Sequence, residues 1–151
     1  MGNGEIMLVI NQQILDDICQ HALQTYPDEC CGILVGSDQG NERTVVQAYR
    51  ARNVSEQRRN DRYIIDEKKL IEVMKSVRNS PFDIVGFYHS HPDSASAPSR
   101  YDSEHAAWPG YTYLIVSVEK ERVVSVQAWV MPEENEIFIE QPLHAKEYAD
   151  S

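Results

Sequence analysis

Cysteine, positive charge and long apolar runs are all scarce in this chain, and each shortage removes a class of protein. Among 151 residues there are three cysteines, Cys19, Cys30 and Cys31. An odd number with two of them adjacent makes no disulfide framework and agrees with a reducing compartment. Lysine and arginine total 14 against 24 aspartates and glutamates, for a formal net charge of −10. Phosphate backbones are held by clustered cations, so this balance argues against a nucleic-acid partner. No apolar run reaches the roughly 20 residues of a membrane span. The start, Met1-Gly2-Asn3-Gly4-Glu5, lacks the basic and apolar regions of a secretory leader. A cytoplasmic protein with no membrane partner is therefore expected. Repeats, low-complexity tracts and interdomain linkers are missing too. What remains, 42% hydrophobic and 25% charged, is the composition of one globular domain over residues 1–151.

Taken in order, Met7-Leu8-Val9-Ile10 reads as a strand and Asn11 as the N-cap of a helix. On that helix Ile14, Leu15, Ile18, Ala22 and Tyr26 share a face, and Pro27 ends it. Ile33 to Gly36 and Thr44 to Ala51 read as strands joined by a turn at 38–41. Asn53 to Arg62 is polar and reads as a loop, followed by a brief extended Tyr63-Ile64-Ile65. Asp66 caps a second helix with an apolar stripe of Leu70, Val73, Met74 and Val77. Tyr111 to Val118 and Val123 to Met131 form a hairpin. Glu136 to Ile139 is expected as an edge strand, and the tail from Gln141 to Ser151 as having little to bury. His21 and His144 have no partner nearby in sequence and read as surface residues. Strands and two main helices mixed along the chain imply an α/β or α+β sheet with helices on its faces.

The chemistry concentrates in Asp83 to Asp102, DIVGFYHSHPDSASAPSRYD. Ile84 to Tyr88 has the length and character of a buried strand. His89 and His91 follow two residues apart, and in an extended chain positions i and i+2 project from one face. Pro92 cannot donate to a ladder, which places the histidines at the strand's open end. Two imidazoles with Asp102 suit zinc, and three protein ligands leave a fourth vertex open, as catalytic sites do. Ser99 to Asp102 also has the outline of a capping box, in which Ser99 caps a helix and Asp102 answers it. His105, one helical turn after Asp102, is a rival third ligand.

His89-Ser90-His91-Pro92, six residues, Ser99, two residues and Asp102 resembles, position for position, the motif of the JAMM (MPN+) zinc metalloproteases. Their remote glutamate is matched by Glu29 in Pro27-Asp28-Glu29-Cys30-Cys31-Gly32. The likeness extends over most of the chain. It implies the JAMM fold, a mixed, curved sheet flanked by helices and related to that of the cytidine deaminases. It implies one zinc ion per chain on His89, His91 and Asp102. Glu29 is implied as the general acid–base that moves the water's proton to the departing amine, and Ser99 as the donor to the oxyanion. By the same resemblance the substrate is a ubiquitin-like or sulfur-carrier protein, cut after its glycine-rich tail. The compact length is similar to that of the stand-alone prokaryotic members, which release an amino acid such as cysteine, or a short extension, from the carrier.

Two other readings stand beside this one: a catalytically silent JAMM-like scaffold, and another zinc hydrolase. Against the first, Glu29, His89, His91, Ser99 and Asp102 are all present. Against the second, Ser94 stands where the H-x-H-x-D-H run of metallo-β-lactamase-type enzymes needs histidine, and the deaminase signature is absent. Adjacent strand side chains point to opposite faces, so Cys30 and Cys31 read as packing residues rather than a thiolate pair. Arg50, Arg52, Arg58, Arg59 and Arg62 make a basic cluster, either a solvated loop or a receiver for an acidic carrier. The loop 53–62, or Cys30 in the place of the zinc water, could hold such a site silent.

Overall fold

The computed structural model describes residues 6–133 and 137–147. Strand β1 (Met7–Asn11) runs directly into helix α1 (Gln12–Thr25), and the turn of direction is fixed by Asn11, whose side chain accepts from the Gln13 amide at 2.8 Å. Strands β2 (Cys31–Gln39) and β3 (Glu42–Ala51) form a hairpin whose tip carries Gly40 at φ +62°, a left-handed turn conformation that glycine adopts without a Cβ penalty. Asp66 caps helix α2 (Glu67–Val77), accepting from the Lys68 amide. Strand β4 (Asp83–Pro92) carries the histidines, and helix α3 (Arg100–His105) follows it. Strands β5 (Thr112–Glu119) and β6 (Arg122–Val130) are the second hairpin, and β7 (Ile139–Gln141) and β8 (Leu143–Lys146) complete the chain.

All eight strands lie in one curved, mixed sheet ordered β7-β6-β5-β4-β2-β3-β1-β8. Pairing is parallel for β4 with β5, β1 with β3 and β1 with β8, and antiparallel elsewhere. Each face buries its own apolar cluster. On one, α1 packs Leu15, Ile18 and Ala22 against Leu8, Ile10, Leu34 and Tyr88. On the other, Val73 of α2 meets Ile33, Val35, Phe87 and Tyr113. The mixed, curved sheet with flanking helices expected from the sequence is thus the observed architecture. No helix among the described residues is long and apolar enough to cross a membrane.

Several local expectations need correction. Met74 is 45% exposed, so the α2 stripe is narrower than its helical spacing suggested. The stretch from Gln141 is not idle: Gln141 is buried, and Leu143–Lys146 pairs with β1, whose Leu8 amide also donates to the Pro142 carbonyl. The edge strand expected from Glu136 begins at Ile139, and residues 134–136 lie outside the described set, as do 148–151. His144 is exposed as expected, but His21 is not. It lies buried on α1 with Nδ1 2.7 Å from the Tyr88 hydroxyl. Tyr88 in turn lies across Gly32, where a Cβ would overlap the Tyr88 ring and come within 2.6 Å of the Tyr49 carbonyl oxygen. The absent side chain at 32 is what lets the ring reach α1.

Candidate metal centre

Alternation along β4 sends Tyr88 and Ser90 toward α1 and Phe87, His89 and His91 toward the α2 face. Both histidines are almost fully buried, since β4 lies between β2 and β5. Asp102 reaches the same point from α3. His89 Nε2 lies 3.2 Å from His91 Nε2 and 3.1 Å from Asp102 Oδ2, and His91 Nε2 lies 2.9 Å from that oxygen. The three atoms form a nearly equilateral triangle. Ligands about 2.0–2.1 Å from a tetrahedral zinc stand about 3.3 Å apart, so the triangle matches one face of that tetrahedron with slight contraction. The His91 Nδ1–H donates to the Ala95 carbonyl at 2.7 Å, which leaves Nε2 as the lone-pair atom facing the triangle.

The capping box and the ligand are one construction. Asp102 N–H donates to Ser99 Oγ at 3.0 Å and Ser99 N–H donates to Asp102 Oδ2 at 2.9 Å. The cap holds the carboxylate rigidly. Burial would raise the Asp102 pKa, but His89, His91 and the Ser99 amide outweigh it and hold the carboxyl well below its usual range. Burial pushes the His89 pKa down, with Asp102 opposing, which favours the neutral imidazole that a metal would need.

Glu29 lies just before β2, 3% exposed, with Oε1 lacking any hydrogen-bond partner. Burial first, then the charges of Asp102 and Asp61, pushes its pKa up to about 9. A buried Glu29 oxygen with no partner, near enough to Asp102 to feel its charge, and two imidazole nitrogens set against one carboxylate oxygen are donor chemistry that a zinc ion takes, so the residues present fit the zinc expected from the sequence. Among the described residues the only group of ligating side chains that close together is His89, His91 and Asp102. His105 is not in it. It is exposed, stacked on Tyr101 at 3.9 Å, with Nδ1 2.9 Å from the Tyr101 carbonyl oxygen.

The remaining expectations sort by face. Cys31 pairs in register with His89 but sits with its Sγ toward the Arg52 carbonyl, and burial pushes its thiol well up. Cys30 packs in the α1-side cluster, on the wrong face to displace a zinc water. Four of the five arginines of the basic cluster have separate partners. Arg50 binds Asp17 and Gln24, Arg58 pairs with Asp61, Arg59 donates to the Ser55 carbonyl, and Arg62 lies 4.7 Å over the Tyr101 ring. Sequence reasoning assigns no role at the site to Ser90 or Tyr63. The Ser90 hydroxyl accepts from the Cys30 amide at 2.8 Å, and its own amide donates to the Cys30 carbonyl, which ties the residue after Glu29 to the residue between the histidines. Its position between two inward-facing histidines was the available signal. Tyr63 stacks on His89 at 4.5 Å and, with Leu70, Phe87, Trp108 and Tyr113, lines an apolar cavity of about 290 Å³ beside Asp102.

A family model described as prokaryotic homologues of the JAB domain matches residues 11–131. A desampylase from Haloferax volcanii is 40% identical over 106 residues, covering 68% of this chain and 74% of that protein. A CysO-cysteine peptidase from Mycobacterium tuberculosis is 29% identical over 113 residues, covering 74% and 73%. The solution structure of Desulfitobacterium hafniense protein DSY2949 superposes with a TM-score of 0.81 at 26% identity, over 95% of this chain and 96% of that one. With the fold and these matches agreeing, the chain belongs to the prokaryotic JAB-domain family.

Proposed function

We propose that this protein is a zinc metallopeptidase that hydrolyses the amide bond after the glycine-rich tail of a ubiquitin-like or sulfur-carrier protein. The coarser reading, a hydrolase of ubiquitin-like protein conjugates, rests on the family and on the names of its relatives, desampylase and CysO-cysteine peptidase. The zinc reading is supported by one observation: the Nε2 atoms of His89 and His91 and Oδ2 of Asp102 lie 2.9–3.2 Å apart, the separation of three ligands on one small cation. Zinc on His89, His91 and Asp102 would supply Lewis acidity and a nucleophilic water at neutral pH.

The chain's own groups do the rest. A cation held on His89, His91 and Asp102 would favour the charged form of Glu29, and as a carboxylate Glu29 would accept the water's proton and pass it to the departing amine, the general acid–base role. Ser99 Oγ receives the Asp102 amide hydrogen and so keeps its own proton, which it donates to the oxyanion of the tetrahedral substrate. An extended tail binds by main-chain hydrogen bonds along a strand edge, with a slot too narrow for side chains larger than glycine's. Three cysteines without a disulfide suit a cytoplasmic setting.

The test uses the purified protein and a Gly-Gly-ended ubiquitin-like carrier fused to a short peptide, with cleavage read by intact mass. One zinc per chain is expected by elemental analysis, lost in His89→Ala together with cleavage. Glu29→Gln should keep the zinc and lose activity by about a hundredfold or more. Cleavage at the native rate by Glu29→Gln would rule out the base.

A further inference from the structure

Glu29 stands outside the sheet ladder, which begins at Cys31, so its peptide groups must find partners elsewhere. The segment after β3 provides them. Asn53 Nδ2 donates to the Glu29 carbonyl at 3.1 Å and to the Arg62 carbonyl at 3.0 Å. Asn53 Oδ1 accepts from the Ser55 amide and from the Ile64 amide, each at 3.1 Å. The Glu29 amide, for its part, donates to the Arg59 carbonyl at 2.6 Å. An asparagine side chain offers two donors and two acceptor lone pairs, and here every one is used.

An ordinary turn asparagine explains only the bond to Ser55, two residues on. The others reach 9, 11 and 24 residues away. Their combined effect is to lock residue 29 to the strip 62–64, and within that strip Tyr63 stacks on the ligand His89. On the opposite side Ser90 holds Cys30 to the histidine strand. Glu29 is thus gripped between two elements, one anchored by Ser90 and the other by Asn53.

We propose that Asn53 is a positioning residue for the reaction: its donated bond to the Glu29 carbonyl sets the height of the Glu29 carboxyl over the metal centre. This rests on the reading of Glu29 as acid–base, and the experiment separates the two. Asn53→Asp keeps the two accepted bonds, and with them the loop, but loses both donated bonds and sets a carboxylate against two carbonyl oxygens. Asn53→Ala loses all four.

With the carrier–peptide fusion as probe, both variants should retain one zinc per chain and a KM within about twofold, while kcat falls about tenfold or more, as for a misplaced catalytic group. Hydrogen exchange at the Glu29 amide should quicken about tenfold or more in Asn53→Asp, and this arm needs no cleavage. Should Asn53→Ala fail to fold, Asn53→Asp decides alone. If Glu29→Gln is inactive while Asn53→Asp keeps native kcat and native exchange at Glu29, Asn53 only shapes the loop and the proposal is overturned. If Glu29→Gln is itself fully active, the acid–base reading falls first and Asn53 has nothing to position.

Discussion

Glu29 is a buried carboxyl whose surroundings disfavour its charge. In the metal-free chain its pKa stands near 9 against an ordinary 4.5, because burial and then Asp102 disfavour its charge. Between those values the folded chain holds a proton that the unfolded chain has released. Stability from this group is therefore complete below pH 4.5 and declines as pH rises toward 9. Glutamine cannot titrate. Metal-free Glu29→Gln should be more stable than the metal-free parent at pH 7, by on the order of 2 kcal/mol, and the gap should widen at pH 8. Urea midpoints of the two proteins at both pH values check this, and equal midpoints throughout would show that the carboxyl is solvated. Comparing at fixed pH cancels every other titrating group.

The packing of α1 on β4 turns on a polar pair, His21 with Tyr88. Burial, and then the Arg50 cation, pushes the His21 pKa down to about 4, with Asp17 partly opposing. Here the unfolded chain takes up a proton near 6.5 that the folded chain refuses, so stability is full above 6.5 and is lost as pH falls toward 4. His21→Gln keeps an acceptor for the Tyr88 hydroxyl without the titration. Its urea midpoint should lose less than the parent's between pH 7 and 4.5, a difference worth up to about 3 kcal/mol. Parallel pH curves would place His21 in water. Why this pair escaped the sequence while the elements up to β6 did not is a matter of range. The strands, both hairpins and the caps at Asn11 and Asp66 are written in neighbouring residues, as period, turn chemistry and capping. His21 has its partner 67 residues away, and Asn53 reaches Glu29 across 24. Burial created by such distant approaches leaves no local mark. The clustering of His89, His91 and Asp102 was legible because His89 and His91 share a strand face and Ser99 and Asp102 share one helical turn. The side on which Glu29 and the cysteines fall needed the pairing of β2 with β4.

At the scale of the whole sheet, the strand order separates what closes the fold from what builds the site. The proposed metal ligands lie on β4 and on α3 just beyond it, whereas β8 lies at the far edge, past β2, β3 and β1. Strand β8 is short and alternates half-buried with exposed residues, too weak a pattern to stand out, yet it covers β1, whose Leu8, Val9 and Ile10 are buried. A chain ending at Gln141 leaves β1 as a bare, apolar, parallel-pairing edge. Its melting temperature should fall by about 5–10 °C, since a few kcal/mol of ladder and side-chain contact is lost from a domain of this size. The exposed edge should also promote self-association, visible by light scattering as a concentration-dependent mass. Zinc content at low temperature should remain one per chain, because β2, β4 and α3 keep their partners. If truncation removes the zinc as readily as His89→Ala does, edge and site form one cooperative unit, and the separation implied by the strand order does not hold.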